Sequence, residues 1–263
     1  MHLILTGATG LVGTAVLDAM IRTADISKIS ILSRSPVKLA EDAKDPRINV
    51  IINKDFAVYD PKVLDQIKGA DACVWALGIS QFEVSKPDLI KITKDYPLTF
   101  ASAFQKARAS DSSTTDKKPF NFVYVSGDGA TFEPTFYSPA FAGIKGEAEL
   151  ALSEFRKAHP DFHANSVRPG FVDWLDHSAI KPYLHKIGAV KNFGGRLMQP
   201  VMRYGNPGRW APTEPLGRFL TGMAMGKFDT DVDKMGEKLH TLDSGMKILE
   251  NADFRKIIGL DSK

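Results

Sequence analysis

Short apolar runs alternate along the first two thirds of the chain with stretches that repeat apolar residues at helical spacing. Runs that are apolar throughout are typical of strands buried on both faces of a parallel sheet. The predicted strands are 3–5, 29–32, 49–52, 72–76, 122–125 and 164–167. The predicted helices between them are 10–22, 61–68, 98–109 and 144–159. This alternation predicts an α/β fold with a doubly wound parallel sheet.

The pattern becomes irregular after Pro169, where glycine, proline and aromatic residues are interleaved. We expect residues 1–175 to form the core domain and 176–263 a small C-terminal substrate-binding region packed on the same domain. Such a region commonly caps the carboxyl ends of the strands, where ligands bind in doubly wound folds. The aromatic residues after Pro169 are expected either to line a substrate pocket or to pack in the core. They are Trp174, Tyr183, Phe193, Tyr204 and Trp210.

Composition excludes several classes of protein. The net charge of +3 is not gathered into long basic runs, which gives no reason to expect nucleic-acid binding. The single cysteine, Cys73, cannot form an intramolecular disulfide. His177 and His185 stand apart from other ligand residues, so we expect no metal site. No apolar stretch is long enough to span a membrane and no signal peptide is evident, which favours a cytoplasmic protein.

Three glycines follow the first predicted strand and open the first predicted helix: Gly7, Gly10 and Gly13. Gly7 permits a tight turn, Gly10 lets the backbone approach a pyrophosphate, and Gly13 lets helix and strand pack closely. The helix N-terminus offers free N–H groups and a partial positive charge to phosphates. The pattern predicts a dinucleotide site of the Rossmann type, with a purely structural turn as the alternative. Further contacts are expected from Thr9, Leu11 and Val12.

The end of the second predicted strand indicates which dinucleotide is bound. An NAD site usually carries an acidic residue here, but this chain has Ser33, Arg34 and Ser35. A guanidinium beside hydroxyls suits a 2′-phosphate, so NADP(H) is favoured over NAD(H); a solvated surface arginine is the alternative. Asp55 and Phe56 are expected to flank the adenine ring. The cofactor is also expected to pass along Ala76, Leu77 and Gly78.

Five segments, TGATGLVG, ALG, VYVSG, IKGEAE and VRPGFV, together resemble the short-chain dehydrogenase/reductase superfamily in its atypical branch. The similarity is greatest to NAD(P)-binding proteins related to the Tat-interacting protein of thirty kilodaltons. It implies that Ser126 is the family's active-site serine and that Lys145 bonds the nicotinamide ribose. Pro169 and Gly170 match the loop beside the nicotinamide. The resemblance also implies a homodimer formed by the helices that begin near residues 98 and 144.

The chain departs from the family at Phe141, which stands where the proton-donating tyrosine is expected. Phenylalanine cannot protonate a carbonyl oxygen. In one hypothesis Tyr137, one turn earlier, replaces the lost acid, with Glu133 and Asp128 as other nearby candidates. In a second, Ser126, a carboxylate or water serves a redox-neutral isomerisation, cyclisation or elimination. In a third, the protein binds a cofactor without turnover, as a sensor. We expect a small organic substrate, such as a biosynthetic intermediate.

Overall fold

A computed structural model describes residues 1–110, 118–184 and 199–261 of the chain. The strands are β1 (His2–Thr6), β2 (Lys28–Ser33), β3 (Ile48–Ile52), β4 (Ala72–Trp75), β5 (Phe120–Val125), β6 (Phe162–Arg168), β7 (Phe171–Asp173), β8 (Trp210–Pro212), β9 (His240–Thr241) and β10 (Lys247–Glu250). The helices are α1 (Leu11–Ile21), α2 (Lys38–Ala43), α3 (Pro61–Ile67), α4 (Lys86–Ile90), α5 (Tyr96–Ala109), α6 (Ala140–Ala158), α7 (Thr213–Ala224), α8 (Asp229–Met235) and α9 (Asn251–Ile257). Most of the polar segment 108–119, with His185 and Phe193, lies outside the described residues.

The main sheet has the strand order β3-β2-β1-β4-β5-β6-β10-β9 and is parallel except for β9, which runs antiparallel to β10. A separate parallel ribbon joins β7 to β8. The predicted doubly wound fold is confirmed. The strand order reverses between β1 and β4, and ligands bind at such a switch point, beyond the carboxyl ends of the strands.

All six predicted strands form, but two helices begin earlier than their sequence pattern indicated. Helix α6 starts at Ala140, directly after Pro139, rather than at residue 144. Proline is tolerated at a helix start because the first turn needs no N–H from it. Phe141 consequently lies in the first turn of α6. Helix α5 starts at Tyr96, two residues before the predicted position.

A π-helical turn, Lys91–Asp95, joins α4 to α5. Its cause is Pro97, which stands four residues after Thr93 and has no N–H to donate to the Thr93 carbonyl. The hydroxyl of Tyr124 on β5 donates to that oxygen instead, at 2.9 Å. The interruption therefore fixes the α4–α5 segment to the centre of the sheet.

Aromatic side chains fill one face of the sheet, between the strands and α3, α5 and α6. Phe104 and Phe120 lie closest, with ring centroids 4.3 Å apart, and their neighbours continue the cluster in stacked, tilted and edge-on arrangements. Rings in these orientations add attraction to the burial of large apolar areas. Other members are Trp75, Phe100, Phe122 and Phe162. This cluster forms the rigid base of the central strands.

The opposite face is covered by α1 and by α7, an element of the C-terminal region. Leu17 and Met20 of α1 meet Leu216, Phe219 and Leu220 of α7 in one buried cluster. Part of the C-terminal region thus completes the main core. In the described residues, no helix has the length and apolar character needed to cross a membrane.

The contact between α1 and α7 depends on a glycine. A Cβ atom at Gly217 would lie 2.3 Å from the carbonyl oxygen of Ala15, which leaves no room for a side chain. We expect Gly217→Ala to lower the free energy of unfolding by about 1–3 kcal/mol, because the two helices must separate. Denaturant unfolding measures this change. Gly69→Ala, where an added Cβ meets nothing within 4 Å, is the matched control, and an equal loss there would contradict the explanation.

Candidate functional site

Three adjoining cavities follow the carboxyl edge of the sheet. We name them the β2-side, central and β6-side cavities, with volumes of about 330, 230 and 480 Å³. Leu77 lines both the β2-side and central cavities. The central and β6-side cavities share Val12, Val125, Ser126 and Lys145. The three therefore make up one extended cleft at the switch point, in the size range of ligand sites.

The glycine loop after β1 has room for backbone only. Gly7 has φ 72°, and a Cβ there would lie 2.3 Å from the carbonyl oxygen of Ala76. A Cβ at Gly13 would lie 2.0 Å from the carbonyl oxygen of Gly7. The Gly10 N–H donates to that same Gly7 oxygen at 2.9 Å, and Thr14 Oγ1 donates to the Gly10 oxygen at 2.7 Å. The loop is therefore tightly fixed between β1, β4 and α1.

The first turn of α1 leaves its N–H groups free. Gly10 is the N-cap residue and supplies no side-chain bond, and the first turn contains no acidic residue. Gly10, Leu11 and Val12 line the central cavity. An uncapped helix start with a positive dipole end, facing a cavity, suits an anionic ligand group.

Ser33, Arg34 and Ser35 line the β2-side cavity together with Gly7 and Thr9. Arg34 is exposed, and within the described ranges no carboxylate pairs with it. The Ser33 hydroxyl donates to the Ser35 carbonyl oxygen at 2.7 Å, so Ser33 shapes the loop that carries Arg34. The cavity therefore presents a cation without a carboxylate beside it.

Phe56 and Asp55, which follow β3, occupy different positions. Phe56 is 1% exposed, lines the β2-side cavity, and packs edge-on against Trp75 with centroids 5.9 Å apart. Asp55 is outside the set of residues that line this cavity, and its carboxylate accepts from the Ala57 N–H at 2.9 Å. Phe56 thus borders the cavity and Asp55 does not, and the adenine contacts of both residues stay predictions from sequence.

Ser126 and Lys145 meet where the central and β6-side cavities join. The Lys145 ammonium donates to the carbonyl oxygen of Ser126. Ser126 is 4% exposed, and its Oγ has no hydrogen-bond partner among the described residues. A buried hydroxyl without a partner is costly, which indicates that a ligand group completes this site. Gly127 leaves space for the ammonium, since a Cβ there would lie 3.1 Å from Nζ.

Burial lowers the pKa of Lys145 to about 8. The surrounding protein replaces water around the ammonium and disfavours its charged form. The carboxylate of Glu149, one turn further along α6, opposes this effect without cancelling it. A lysine in this state holds or releases a proton near neutral pH.

A buried ion pair beneath the cleft was not predicted from the sequence. Glu149 is fully buried and accepts from Ser166 Oγ at 2.7 Å and from Arg168 Nε at 3.0 Å. Arg168 also reaches Glu250 on β10 at 2.8 Å. These bonds fix the end of β6, from which Pro169 leads into the β6-side cavity. In the sequence, Glu149 looks like an ordinary charged residue on a helix surface. No motif or spacing therefore indicated that it pairs with Arg168.

The C-terminal region supplies part of the β6-side cavity through Arg209 and Met202. Arg209 Nε donates to the Asp128 carboxylate at 2.6 Å. Its backbone also passes close to Gly170, where a Cβ would lie 2.2 Å from the Arg209 carbonyl oxygen. Arg209 was missed because it follows β6 by forty residues and reaches the cleft only through β7–β8 pairing. Thr93, in the π turn, is a second unpredicted lining residue, of the central cavity.

Tyr137 lies away from the cleft in this conformation. It is 92% exposed, packs edge-on against the equally exposed Phe136, and lines none of the three cavities. Phe141 is half-buried in the first turn of α6, and its N–H donates to Gln81 Oε1 at 3.2 Å. Tyr137 would need the loop before α6 to fold inward, and its catalytic role stays a prediction.

His177 is a buried structural residue. Its ring nitrogens lie 3.1 Å from Thr213 Oγ1 and 3.1 Å from Asp18 Oδ2. These contacts join α1 to the start of α7. In the part of the chain that the structure describes, no group of three or more His, Cys, Asp or Glu side chains could hold a metal ion.

Comparison with known proteins places these features in context. No family model matches the sequence. The chain is 31% identical over 255 residues to leucinostatins biosynthesis cluster protein T of Purpureocillium lilacinum, covering 90% of this chain and 89% of that protein. It is 33% identical over 163 residues to botcinic acid biosynthesis cluster B protein 16 of Botryotinia fuckeliana (strain B05.10). That match covers 62% of this chain and 98% of that protein.

Among solved structures, the chain is similar to a 3-oxoacyl-[acyl-carrier protein] reductase from Brucella melitensis in complex with NAD. The TM-score is 0.65, the identity is 14%, and the match covers 96% of each chain. At this identity the likeness is one of fold. The fold is that of short-chain dehydrogenases/reductases.

The Glu149–Arg168 pair can be tested by stability. Arg168→Met removes the cation and leaves the Glu149 carboxylate buried, so we expect the free energy of unfolding to fall by about 3–5 kcal/mol. Adding Glu149→Leu should recover most of that loss, because both charges are then gone. Denaturant unfolding of the single and double variants measures this coupling. Additive losses in the double variant would contradict the pair.

Proposed function

The chain belongs to the family of leucinostatins biosynthesis cluster protein T, and we propose that it is an NADP(H)-dependent reductase that acts on a small organic biosynthetic intermediate. One observation carries this proposal: the ammonium of Lys145 and the unpartnered hydroxyl of Ser126 meet in the same cleft as the glycine loop. Both biosynthetic-cluster relatives support a role in making a small molecule. The motifs that resemble short-chain dehydrogenases/reductases support its place in the atypical branch of that superfamily, with Phe141 at the position of the usual tyrosine.

The residues present fit a dinucleotide. The pyrophosphate would lie on the free N–H groups of α1, where Gly10 and Val12 leave the backbone accessible. The nicotinamide would lie between the end of β5 and Pro169, with its ribose bonded by Lys145. Ala76, Leu77 and Gly78 would border the path between the two ends. When bound, a reduced nicotinamide supplies a hydride.

The preference for NADP(H) rests on Arg34. It lies at the end of the cleft that the adenosine half would occupy and lacks a carboxylate partner in the described ranges. A guanidinium forms strong, charge-assisted hydrogen bonds with phosphate. Thr9 and Ser35 add polar groups beside it. No acidic residue stands here to bond the free ribose hydroxyl of NAD.

The β6-side cavity is where we place the substrate. Ser126 Oγ would donate to the substrate oxygen, which explains why that buried hydroxyl has no protein partner. Phe171, Val172 and Met202 give the cavity apolar walls, and Arg209 places a cation at its edge. A small carbonyl compound with an apolar body suits this lining. A homodimer through α5 and α6 stays a prediction.

A redox-neutral reaction is the second candidate, favoured by Phe141 and the exposed Tyr137. Neither Phe141 nor Tyr137 brings a phenol to the cleft, and an isomerisation or cyclisation would need only Ser126 and Lys145. A sensor that binds the cofactor without turnover is the remaining alternative. Cofactor oxidation separates the reductase from both rivals, because neither consumes NADPH.

Cofactor preference can be measured directly. We expect the purified protein to bind NADPH at least about tenfold more tightly than NADH, and Arg34→Ala to remove most of that difference, because one charged contact is lost. Calorimetric titration or nicotinamide fluorescence gives both affinities. Arg218→Ala, at an exposed position on α7, is the matched control. Equal affinities for the two nucleotides in the unmodified protein would disprove the 2′-phosphate assignment.

Turnover can be tested by restoring the missing phenol. With a panel of small ketones and imines, we expect slow NADPH oxidation by the unmodified protein. Phe141→Tyr should accelerate it, within about 10²–10⁴-fold, because general acid catalysis contributes on that scale. Absorbance of NADPH follows the reaction, and Phe136→Tyr, at an exposed position, controls for an added phenol. Binding of NADPH without oxidation in either form would favour the sensor or redox-neutral alternatives.

A further inference from the structure

On the basis of the reductase proposed above, we propose that Lys145 is the proton donor of this protein and that its ammonium protonates the substrate oxygen bound by Ser126 Oγ. Lys145 would then bond the nicotinamide ribose and also donate the proton that a tyrosine at position 141 would otherwise supply. Lys145 lines both the central and β6-side cavities, which places it at the junction of the proposed cofactor and substrate positions.

The aromatic residues near the start of α6 do not provide an acid. Phe141 has no ionisable proton, and Tyr137 is 92% exposed and outside the lining of the cleft. Asp128 does line the β6-side cavity, but its carboxylate already accepts a hydrogen bond from Arg209 Nε at 2.6 Å. Tyr124 also lines the central cavity, but its hydroxyl donates to the Thr93 carbonyl oxygen and burial raises its pKa. Among the described residues, Lys145 is therefore the lining group that we assign as the acid.

The hydrogen bonds of Lys145 leave donors available. An ammonium has three N–H groups, and the Ser126 carbonyl oxygen takes one of them. This contact fixes Nζ against Gly127, where a Cβ would lie 3.1 Å away. Ser126 is therefore held by the lysine through its backbone, while its buried Oγ remains free for a ligand. Because Ser126 and Lys145 line the same two cavities, a substrate oxygen on Ser126 Oγ would share the cleft with the ammonium.

The transfer balances for a carbonyl substrate. The carbonyl carbon accepts a hydride, with its electron pair, from the reduced nicotinamide, which is the reductant of the proposed function. The carbonyl oxygen gains a proton as one N–H bond of Lys145 breaks and an O–H bond forms. Lys145 is left as a neutral amine and regains its proton from solvent through the open side of the cleft.

The electrostatic surroundings suit this role. Burial lowers the pKa of Lys145 to about 8, so that proton loss is easier than from an exposed lysine, while most of the amine is still protonated at pH 7. The groups around it are Glu149 on α6, Tyr124 on β5, Asp128 after β5 and Arg209 from the C-terminal region. Burial raises the pKa of Tyr124 well above its usual value. Of these groups, Lys145 is the one expected to titrate near pH 8.

The first test requires neither cofactor nor substrate. In protein labelled with ¹³C-lysine, we expect one side-chain resonance to titrate near pH 8, about two pH units below ordinary lysines. Its absence from the spectrum of Lys145→Arg assigns it. Lys157→Arg, at an exposed position of the same helix, should remove only an ordinary resonance. A Lys145 resonance that titrates near the ordinary value would overturn the proposal.

The second test is kinetic. We expect kcat for carbonyl reduction to fall as pH rises through about 8, because the ammonium loses its proton. Lys145→Arg keeps a cation but holds its proton too tightly to donate it, and should lower kcat by about 10²–10⁴-fold at saturating NADPH. Lys145→Met, with similar length and no charge, should show the same loss. Lys157→Arg should keep both kcat and the pH profile.

The outcomes separate the two proposals. NADPH binding with no carbonyl reduction by the unmodified protein would overturn the reductase, and the proton-donor role with it. Reduction that persists in Lys145→Arg and Lys145→Met, with an unchanged pH profile, would overturn the proton-donor role alone. Weaker NADPH binding, with kcat preserved at saturation, would show that Lys145 only bonds the ribose. Loss of kcat with preserved affinity, restored by adding Phe141→Tyr, would support Lys145 as the donor.

Discussion

The close backbone contact among β1, β4 and α1 is the constraint on which the cleft depends. Gly7 approaches the chain after β4, and Gly13 approaches Gly7, at distances that exclude a Cβ atom at either position. This contact fixes the start of α1 at the switch point of the sheet, with its N–H groups uncapped. The position of the free helix end, which suits an anionic ligand group, follows from the absence of side chains at Gly7 and Gly13.

The end of the cleft beside β6 depends on the buried ion pair between Glu149 and Arg168. Glu149 and Arg168 tie α6 to β6, and four residues before Glu149 the same helix carries Lys145 to the Ser126 carbonyl. Residues four apart in a helix lie on one face. The Glu149 carboxylate, which ties α6 to β6, therefore also opposes the lowering of the Lys145 pKa. Fold stability and the protonation of the cleft are therefore coupled through one turn of α6.

Phe141 has a phenyl ring where the resemblance to short-chain dehydrogenases/reductases implies a phenol, and this bears on the role proposed for Lys145. A lysine that serves a neighbouring tyrosine needs only its charge, whereas a lysine that acts alone needs a transferable proton. The low pKa of Lys145 and the orphaned Ser126 hydroxyl are consistent with the second role. The aromatic cluster beneath β4 and β5 and the Tyr124–Thr93 bond hold these groups on rigid strands, where small displacements are resisted.

The sequence by itself determined the doubly wound sheet, because buried parallel strands must be apolar throughout and helices must repeat every 3.6 residues. It also determined the glycine loop and the phenylalanine at position 141, because both follow directly from residue type. Only the tertiary structure decided which distant groups meet. The β7–β8 ribbon brings Arg209 to the cleft. Glu149 on α6 pairs with Arg168 on β6. Pro97 leaves the Thr93 carbonyl oxygen to accept from the Tyr124 hydroxyl. These contacts join residues far apart in the chain, where neither periodicity nor spacing carries information, and burial then sets the protonation of Lys145.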